Sequence, residues 1–358
     1  ADPNGGGEAG ESYVVFGKAS SNTVDLGNLG SGGFRIDGID ANDRSGIAVS
    51  GAGDVNGDGL ADLIVGASGA DPNANSAAGE SYVVFGKTNT STVDLGNLGS
   101  GGFRIDGIDA NDQSGFSISG AGDVNGDGLA DLIVGALGAA PNGGGEAGES
   151  YVVFGKTNTS TVDLGSLGSG GFRIDGIDAS DRSGRAVSGA GDVNGDGLAD
   201  LIVGTYLADP NGGSDTGESY VVFGKTNAST VDLGNLGSGG FRMDGIDAGD
   251  RSGRAVSGAG DVNGDGLADV IVSAYGADPN GDNAAGESYA VFSPQTPALS
   301  AVYRARSRNG NPPQTAVGVS GDGSNASHPD ARAWIDFADG EDLVSSASTE
   351  IVTLTRNP

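Results

Sequence analysis

Apolar residues along the chain come in short runs rich in Val, Ile, Phe and Tyr, and each run is separated from the next by Gly, Asn, Asp or Pro. Runs of this kind are typical of β-strands joined by turns. In one repeating stretch they predict four strands, at residues 47–51, 63–67, 82–86 and 103–108. No stretch keeps a helical period, and Gly costs a helix interior about 1 kcal/mol per residue. We therefore expect an all-β fold.

The pattern recurs with a period of 69 residues. The segment DVNGDGLAD begins at Asp54, Asp123, Asp192 and Asp261. The segment GFRIDGID, or its Met variant, carries its aromatic residue at Phe34, Phe103, Phe172 and Phe241. A third segment, ESYVVFGK, begins at Glu11, Glu80, Glu149 and Glu218, with a degenerate copy at Glu287. A fixed internal period of this length predicts a repeat architecture.

A four-stranded unit cannot bury both faces of its sheet alone, so successive units must pack face to face. A radial ring of such sheets is a β-propeller, which is the expected fold, and a linear β-solenoid with rungs of about 20–30 residues is the alternative. The predicted propeller region is 1–293. It comprises an incomplete blade, 1–44, and then repeats at 45–113, 114–182, 183–251 and 252–293.

From residue 294 the composition changes, and the only Trp and the only His of the chain appear. Alternating stretches at 298–305 and 350–355 predict strands. We expect residues 294–358 to form a small C-terminal module resembling a β-sandwich.

Charge excludes several classes of function. The formal net charge is -30, from 18 Lys and Arg against 48 Asp and Glu. Nucleic acids and anionic membrane surfaces need basic patches, so neither is an expected partner. No apolar run approaches the roughly 20 residues of a membrane span. The chain has no Cys, which excludes disulfides and thiolate chemistry and is compatible with an exported protein stabilised in another way.

The segment DVNGDGLAD places oxygen donors at its positions 1, 3, 5 and 9. Calcium takes about 6–8 oxygen ligands, and the main-chain oxygen of Leu60, at position 7, is a further donor. An EF-hand would need Glu at position 12, where Val65 stands. Magnesium suits such a cage less well, because it tends to retain several waters. The alternative without metal is a set of Asx turns at a strand end.

The stretch AGDVNGDGLADLIVGASGAD followed by GESYVVFGK resembles the FG-GAP repeat of integrin α-subunit propellers and of bacterial surface proteins. Phe85 and Gly86 supply the FG, and residues 66–68 stand where GAP is expected. The resemblance implies one blade per repeat and one Ca²⁺ per loop, about four in all. It implies as calcium ligands Asp54, Asn56, Asp58, Leu60 and Asp62; Asp123, Asn125, Asp127, Leu129 and Asp131; Asp192, Asn194, Asp196, Leu198 and Asp200; and Asp261, Asn263, Asp265, Leu267 and Asp269. Family rings usually have more blades than the four loops present here.

Catalytic chemistry is not expected. A Ser-His-Asp triad would have to use His328, which precedes Pro329 in a polar segment. Paired carboxylates are so abundant that they indicate nothing. Recurring pairs such as Arg35 with Asp37 and Arg104 with Asp106 predict ion pairs that join blades or lie on the surface.

These features predict an extracellular or cell-surface protein that is structural or adhesive, with calcium stabilising the fold and the repeats serving multivalent attachment or assembly, including filaments. Two alternatives stay open: a propeller lectin that binds glycans, and the noncatalytic propeller of a larger polysaccharide-degrading enzyme. ESYVVFG-type strands number five against four of the DVNGDG loops. We therefore expect the partners to include other copies of the chain or missing upstream blades, besides surface proteins or glycans.

Overall fold

A computed structural model of the chain describes residues 7–279, 282 and 284–293 and two short strands further on. The chain divides into two compact units, Ala1–Ser293 and Pro294–Pro358. The described residues contain strands and short 3₁₀ helices but no α-helix, so the prediction of an all-β protein is confirmed. None of the helices in this part is long and apolar enough to cross a membrane.

In the first unit, the described strands form five sheets. The strands are β1 (Glu11–Val15), β2 (Gly33–Asp37), β3 (Ala48–Gly53), β4 (Asp62–Ala67), β5 (Glu80–Val84), β6 (Val93–Asp94), β7 (Gly102–Asp106), β8 (Ser114–Gly122), β9 (Asp131–Ala136), β10 (Glu149–Val153), β11 (Val162–Asp163), β12 (Gly171–Asp175), β13 (Ala186–Gly191), β14 (Asp200–Thr205), β15 (Glu218–Val222), β16 (Val231–Asp232), β17 (Gly240–Asp244), β18 (Ser252–Gly260), β19 (Asp269–Ala274) and β20 (Glu287–Val291).

Each complete repeat forms an antiparallel meander. In the second sheet, β3, β4, β5 and β7 pair in that order, with Val65 opposite Tyr82 and Tyr82 opposite Arg104. The predicted strands of this repeat agree with the observed ones to within two residues at either end. The remaining sheets have the orders β1-β2-β6, β16-β12-β10-β9-β8, β13-β14-β15-β17 and β18-β19-β20.

A two-residue strand from the following repeat extends each of the first three sheets. In the second sheet this strand is β11, which runs parallel to β7 with Val162 opposite Ile105. Asp163, its second residue, caps the following 3₁₀ turn by accepting a hydrogen bond from the Gly165 N–H at 2.9 Å. Successive repeats are therefore hydrogen-bonded to each other as well as packed.

Within the described residues, all 3₁₀ helices are three residues long. They lie at Leu26–Asn28, Gly30–Gly32, Pro72–Ala74, Leu95–Asn97, Pro141–Gly143, Leu164–Ser166, Pro210–Gly212 and Leu233–Asn235.

The hydrophobic core lies between successive sheets. Phe103 and Ile105 of the second sheet pack with Leu132, Val134 and Tyr151 of the third, and all five are buried. In the third sheet, the residues one position along, Ile133 and Val152, face the fourth sheet instead, as the two-residue period of a strand requires. Successive sheets thus pack face to face, as the four-stranded repeats predicted. Within the described part, no strand of the last sheet pairs with one of the first.

The second unit is described only at β21 (Tyr303–Ala305) and β22 (Leu343–Ser345), which pair antiparallel with Tyr303 opposite Ser345. The predicted strand at 298–305 overlaps β21. The predicted strand at 350–355, His328 and the proposed β-sandwich-like arrangement lie outside the described residues.

Candidate metal centre

The segment DVNGDGLAD connects the first two strands of each sheet in all four repeats. In the first copy it leaves β3 after Gly53 and enters β4 at Asp62. Gly57 and Gly59 have positive φ, +77° and +85°, which a residue with a Cβ adopts only under strain. The local sequence thus folds into a tight loop at one end of the hairpin.

Asp54 organises the turn of this loop. Its Oδ1 accepts from the Gly57 N–H at 2.8 Å and from the Asp58 N–H at 3.0 Å, and its Oδ2 accepts from the Gly59 N–H at 2.8 Å. Asn56 Oδ1 accepts from the same Asp58 N–H at 2.8 Å. The side-chain oxygens of positions 1 and 3 therefore meet at one backbone amide.

Asp58 closes the same turn. Its Oδ1 accepts from the Leu60 N–H at 2.8 Å, and its Oδ2 accepts from Asn56 Nδ2 at 3.1 Å. The other three loops repeat this network with nearly equal distances, for example 2.7–2.9 Å for the bonds from Gly126, Gly128 and Leu129. The four acidic loops therefore have equivalent structures.

Asp62, at position 9, is fully buried and anchors the loop to its own sheet. Its Oδ2 accepts from the Val55 N–H at 2.9 Å and its Oδ1 from the Gly86 N–H at 2.7 Å. Burial raises the pKa of this carboxyl, and the nearby carboxylates Asp58 and Asp54 raise it further. In the second and third copies the same causes raise the pKa of Asp131 to about 7 and of Asp200 to about 6. An ionised carboxylate is therefore costly here unless a cation is near.

The donor set has the chemistry that calcium prefers, since every side chain involved offers a hard oxygen. In the described residues, no group of three or more His, Cys, Asp or Glu side chains is arranged as a ready metal site. Both oxygens of Asp62 accept hydrogen bonds from amides, and the oxygens at positions 3 and 7 come from an amide side chain, Asn56, and from the Leu60 main chain. The structure thus brings the predicted residues of each loop together, while their coordination of an ion stays a prediction.

The predicted ion pairs are present, but each lies within a single sheet, so they do not join successive sheets. Arg104 donates from Nη2 to Asp106 Oδ2 at 2.8 Å, and its Nη1 lies 3.3 Å from Glu80 Oε1. The Tyr82 hydroxyl donates to the same Glu80. Tyr82 belongs to the same buried cluster as Phe34 of the preceding sheet, and the two carboxylates are nearly buried, whereas the Arg104 side chain is 39% exposed. Burial raises the pKa of Glu80, and the role of the cluster is structural.

Two features of the first unit were not foreseen from the sequence. One is the parallel pairing of the short strands with the preceding sheet, described above. The other is a set of arginines stacked on aromatic rings at the end of the hairpins away from the acidic loops. Their only signal in the sequence is that these positions differ between otherwise similar repeats.

Comparison with known proteins agrees with this geometry. The family model of the FG-GAP repeat matches residues 45–84, 114–153, 183–222 and 252–291, and each match covers the first three strands of a sheet. Integrin alpha pat-2 of Caenorhabditis elegans is 37% identical over 99 residues, which are 26% of this chain and 7% of that protein. The match thus spans only a small part of that relative's length.

Proposed function

We propose that this FG-GAP repeat protein is a calcium-binding structural or adhesive protein of the cell surface or extracellular space, with its sheets arranged as a β-propeller or part of one. The supporting observation is the acidic loop, which occurs four times with one hydrogen-bond network and occupies the same end of each hairpin. A feature maintained in every repeat serves the repeat unit itself. Catalysis would need one asymmetric site instead.

Each ion would be held by the side chains at positions 1, 3, 5 and 9 and by the main-chain oxygen at position 7. In the first loop, binding would replace the contact between Asn56 Nδ2 and Asp58 Oδ2 and would offset the repulsion among Asp54, Asp58 and Asp62. The amides that already orient Asp54 would hold its oxygens in place. Calcium would add positive charge that the chain lacks, because the formal net charge is -30.

Adhesion is the role that the repeats favour. Near-identical units present equivalent surfaces at regular spacing, and linked weak contacts gain strength through effective concentration. The similarity to an integrin α-subunit supports a location outside the cell or at its surface. The partners we propose are surface proteins or glycans, with other copies of the chain as a route to assembly.

A lectin is the second candidate, and one observation favours it. Beside the first acidic loop lies a groove of about 740 Å³ whose lining includes Asn56, Asp58, Lys87, Asn89 and Thr157. An equivalent groove of about 560 Å³ lies beside the second loop. Amide, hydroxyl and charged groups in a repeated groove suit sugar hydroxyls.

Calcium titration by calorimetry, with metal analysis of the dialysed protein, tests the proposal. We expect four ions per chain and three in the Asp58→Ala variant, because each loop is complete in itself. Asp25→Ala, which removes an exposed carboxylate outside the loops, should still bind four. Absence of calcium binding, or an unchanged count in Asp58→Ala, would contradict the metal assignment.

A further inference from the structure

The repeats are closely similar in sequence, yet two structural positions change chemistry from one repeat to the next. The first position, at the start of the first strand of each repeat, is occupied in turn by Ile47, Phe116, Arg185 and Arg254. The second position directly follows the second strand and is occupied by Ser68, Leu137, Tyr206 and Tyr275. In the third and fourth repeats, the first position is thus cationic and the second is aromatic.

Both positions lie at the end of the hairpin opposite the acidic loop. The loop joins the end of the first strand to the beginning of the second, so the other two strand ends meet at the far end. The second strand of the third repeat, β14, has six residues, which places the two ends about 20 Å apart. Whatever binds at the arginines is therefore separate from the calcium loops.

The arginines stack on aromatic rings across the boundaries between repeats. The guanidinium of Arg185 lies 4.5 Å from the centre of the Phe116 ring, which belongs to the preceding repeat. The guanidinium of Arg254 lies 5.1 Å from the Tyr206 ring and 5.5 Å from the Tyr275 ring. Tyr206 is buried, whereas 44% of Tyr275 is exposed. The arginines thus form a half-buried basic surface beside the partly exposed ring of Tyr275, whose hydroxyl accepts a hydrogen bond from Arg251 Nη1 at 2.7 Å.

The neighbouring arginines have acidic partners, and these two do not. Arg182 lies 2.7 Å from Glu146 Oε2, and Arg251 lies 3.0 Å from Asp215 Oδ2. No carboxylate pairs with Arg185 or Arg254 in the described part of the chain.

Arg185 and Arg254 stand at the same position of two neighbouring repeats, whose strands β13 and β18 approach so closely that a Cβ at Gly258 would overlap the Gly189 carbonyl oxygen. Burial lowers the pKa of Arg185, and the positive charge of Arg254 lowers it further. In a protein with 48 acidic and 18 basic residues, two neighbouring arginines without a carboxylate partner leave their N–H groups available to an anionic ligand.

We propose that Arg185 and Arg254 bind the carboxylate of an acidic sugar, such as a uronate unit of a polysaccharide. A guanidinium matches a carboxylate with two parallel hydrogen bonds, and the exposed ring of Tyr275 offers a flat apolar surface to the sugar ring. The groove that Tyr275 lines contains Arg251 together with Asp247, Asp250 and Glu287, and neither Arg185 nor Arg254 lines it, so the proposed anion site lies outside this groove. The inference rests on the proposed adhesive role and names a ligand class for it.

The test is a calorimetric titration of the calcium-loaded chain with a short oligogalacturonate. The methyl ester of the same oligomer removes only the charge, and an oligoglutamate of equal length presents carboxylates without sugar rings. The variants are Arg185→Gln, Arg254→Gln and Arg254→Lys, each checked by thermal melting. Lys18→Gln, which removes an exposed positive charge on a distant turn after β1, is the matched control.

We expect binding of the oligogalacturonate but not of its ester. Each Arg→Gln change should weaken binding about tenfold, the loss of one charge-assisted pair of hydrogen bonds. The affinity of Arg254→Lys should lie between those of the parent and Arg254→Gln, because lysine keeps the charge but cannot form the two parallel hydrogen bonds. Equal weakening by Lys18→Gln, or equal binding of the oligoglutamate, would overturn the site or its sugar class. If the chain adheres to cell surfaces yet ignores the oligogalacturonate, this inference fails and the adhesive role stands.

Discussion

The N–H of Ala130 donates a hydrogen bond of 3.0 Å to the main-chain oxygen of Asp54, and this bond joins the acidic loop of one repeat to that of the next. The same bond joins Ala199 to Asp123 at 3.0 Å and Ala268 to Asp192 at 2.9 Å. Asp54 is the first position of its loop, and Ala130 lies between the seventh and ninth positions of the following loop. An ion that orders one loop would therefore help to order its neighbour.

We expect Ala130→Pro to destabilise the protein and to weaken calcium binding at the second loop. Proline has no N–H, so the bond to Asp54 is lost, at a cost of about 0.5–1.5 kcal/mol. Ala61→Pro is the matched control, because Ala61 has the same neighbours in sequence and its N–H donates to no preceding loop in the described residues. Chemical denaturation and calcium titration of both variants check the prediction. Equal losses in the two variants would show that the bond between loops contributes nothing.

Because neighbouring sheets approach closely, we predict that alanine destabilises the protein at one glycine of a hairpin and not at another. A Cβ at Gly66 in β4 would overlap the carbonyl oxygen of Gly115 in the next repeat, whereas a Cβ at Gly51 in β3 would meet nothing within 4 Å. We expect Gly66→Ala to lower the free energy of unfolding by about 3 kcal/mol or more, because backbone must move. Gly51→Ala should stay within about 1 kcal/mol of the parent. Urea denaturation measures both, and comparable stability of the two variants would contradict the sheet spacing.

The strands were predictable because the 69-residue period repeats the same apolar runs, and each run buries one face against each neighbouring sheet. The short strand Val162–Asp163 was not predictable, because two residues are too few to show an alternating pattern and their partner, β7, belongs to the preceding repeat. Loop positions could likewise be assigned from spacing alone. The bond from Gly86 N–H to Asp62 joins residues 24 apart in sequence, and only the pairing of β4 with β5 brings them together.

The stacked arginines illustrate the same limit. Arg254 meets Tyr206 because the first strand of one repeat starts beside the end of the second strand of the preceding one. Sequence comparison of the repeats reveals that these positions vary, but it does not reveal that they are neighbours. Contacts between repeats depend on how the sheets stack, and a local pattern carries no information on that.

Stability should depend on pH through Asp181, a buried carboxyl on the loop between β12 and β13. Burial raises its pKa to about 7, with contributions from Asp178, Glu218 and Asp209. Because the pKa in the folded state is higher than in the unfolded state, the protonated group stabilises the fold at low pH. That contribution is full below about pH 4 and is lost as the pH rises through about 7.

We therefore expect Asp181→Asn to be more stable than the parent at pH 8, with a smaller advantage at pH 5. Asparagine keeps the oxygen acceptor and cannot ionise. Asp163→Asn is the control, because residue 163 is exposed and an asparagine oxygen can still cap the following 3₁₀ turn. This variant should show no such trend with pH. Melting temperatures between pH 5 and pH 8 measure the difference. A constant offset between Asp181→Asn and the parent across this range would mean that Asp181 does not titrate there.

Removal of calcium should weaken the folded state in proportion to the number of loops. Without a cation, each loop holds three Asp side chains together, and the ninth-position carboxyl is buried. A ligand at 100 times its dissociation constant stabilises the state that binds it by about 2.7 kcal/mol per site, so excess chelator should lower the melting temperature visibly. On chelation, the melting temperature of Asp58→Ala, which keeps three intact loops, should fall less than that of the parent. Readdition of calcium should restore the melting temperature of both proteins more fully than addition of magnesium does. A melting curve unchanged in chelator, with metal analysis confirming that calcium is gone, would show that the loops are Asx turns that need no ion.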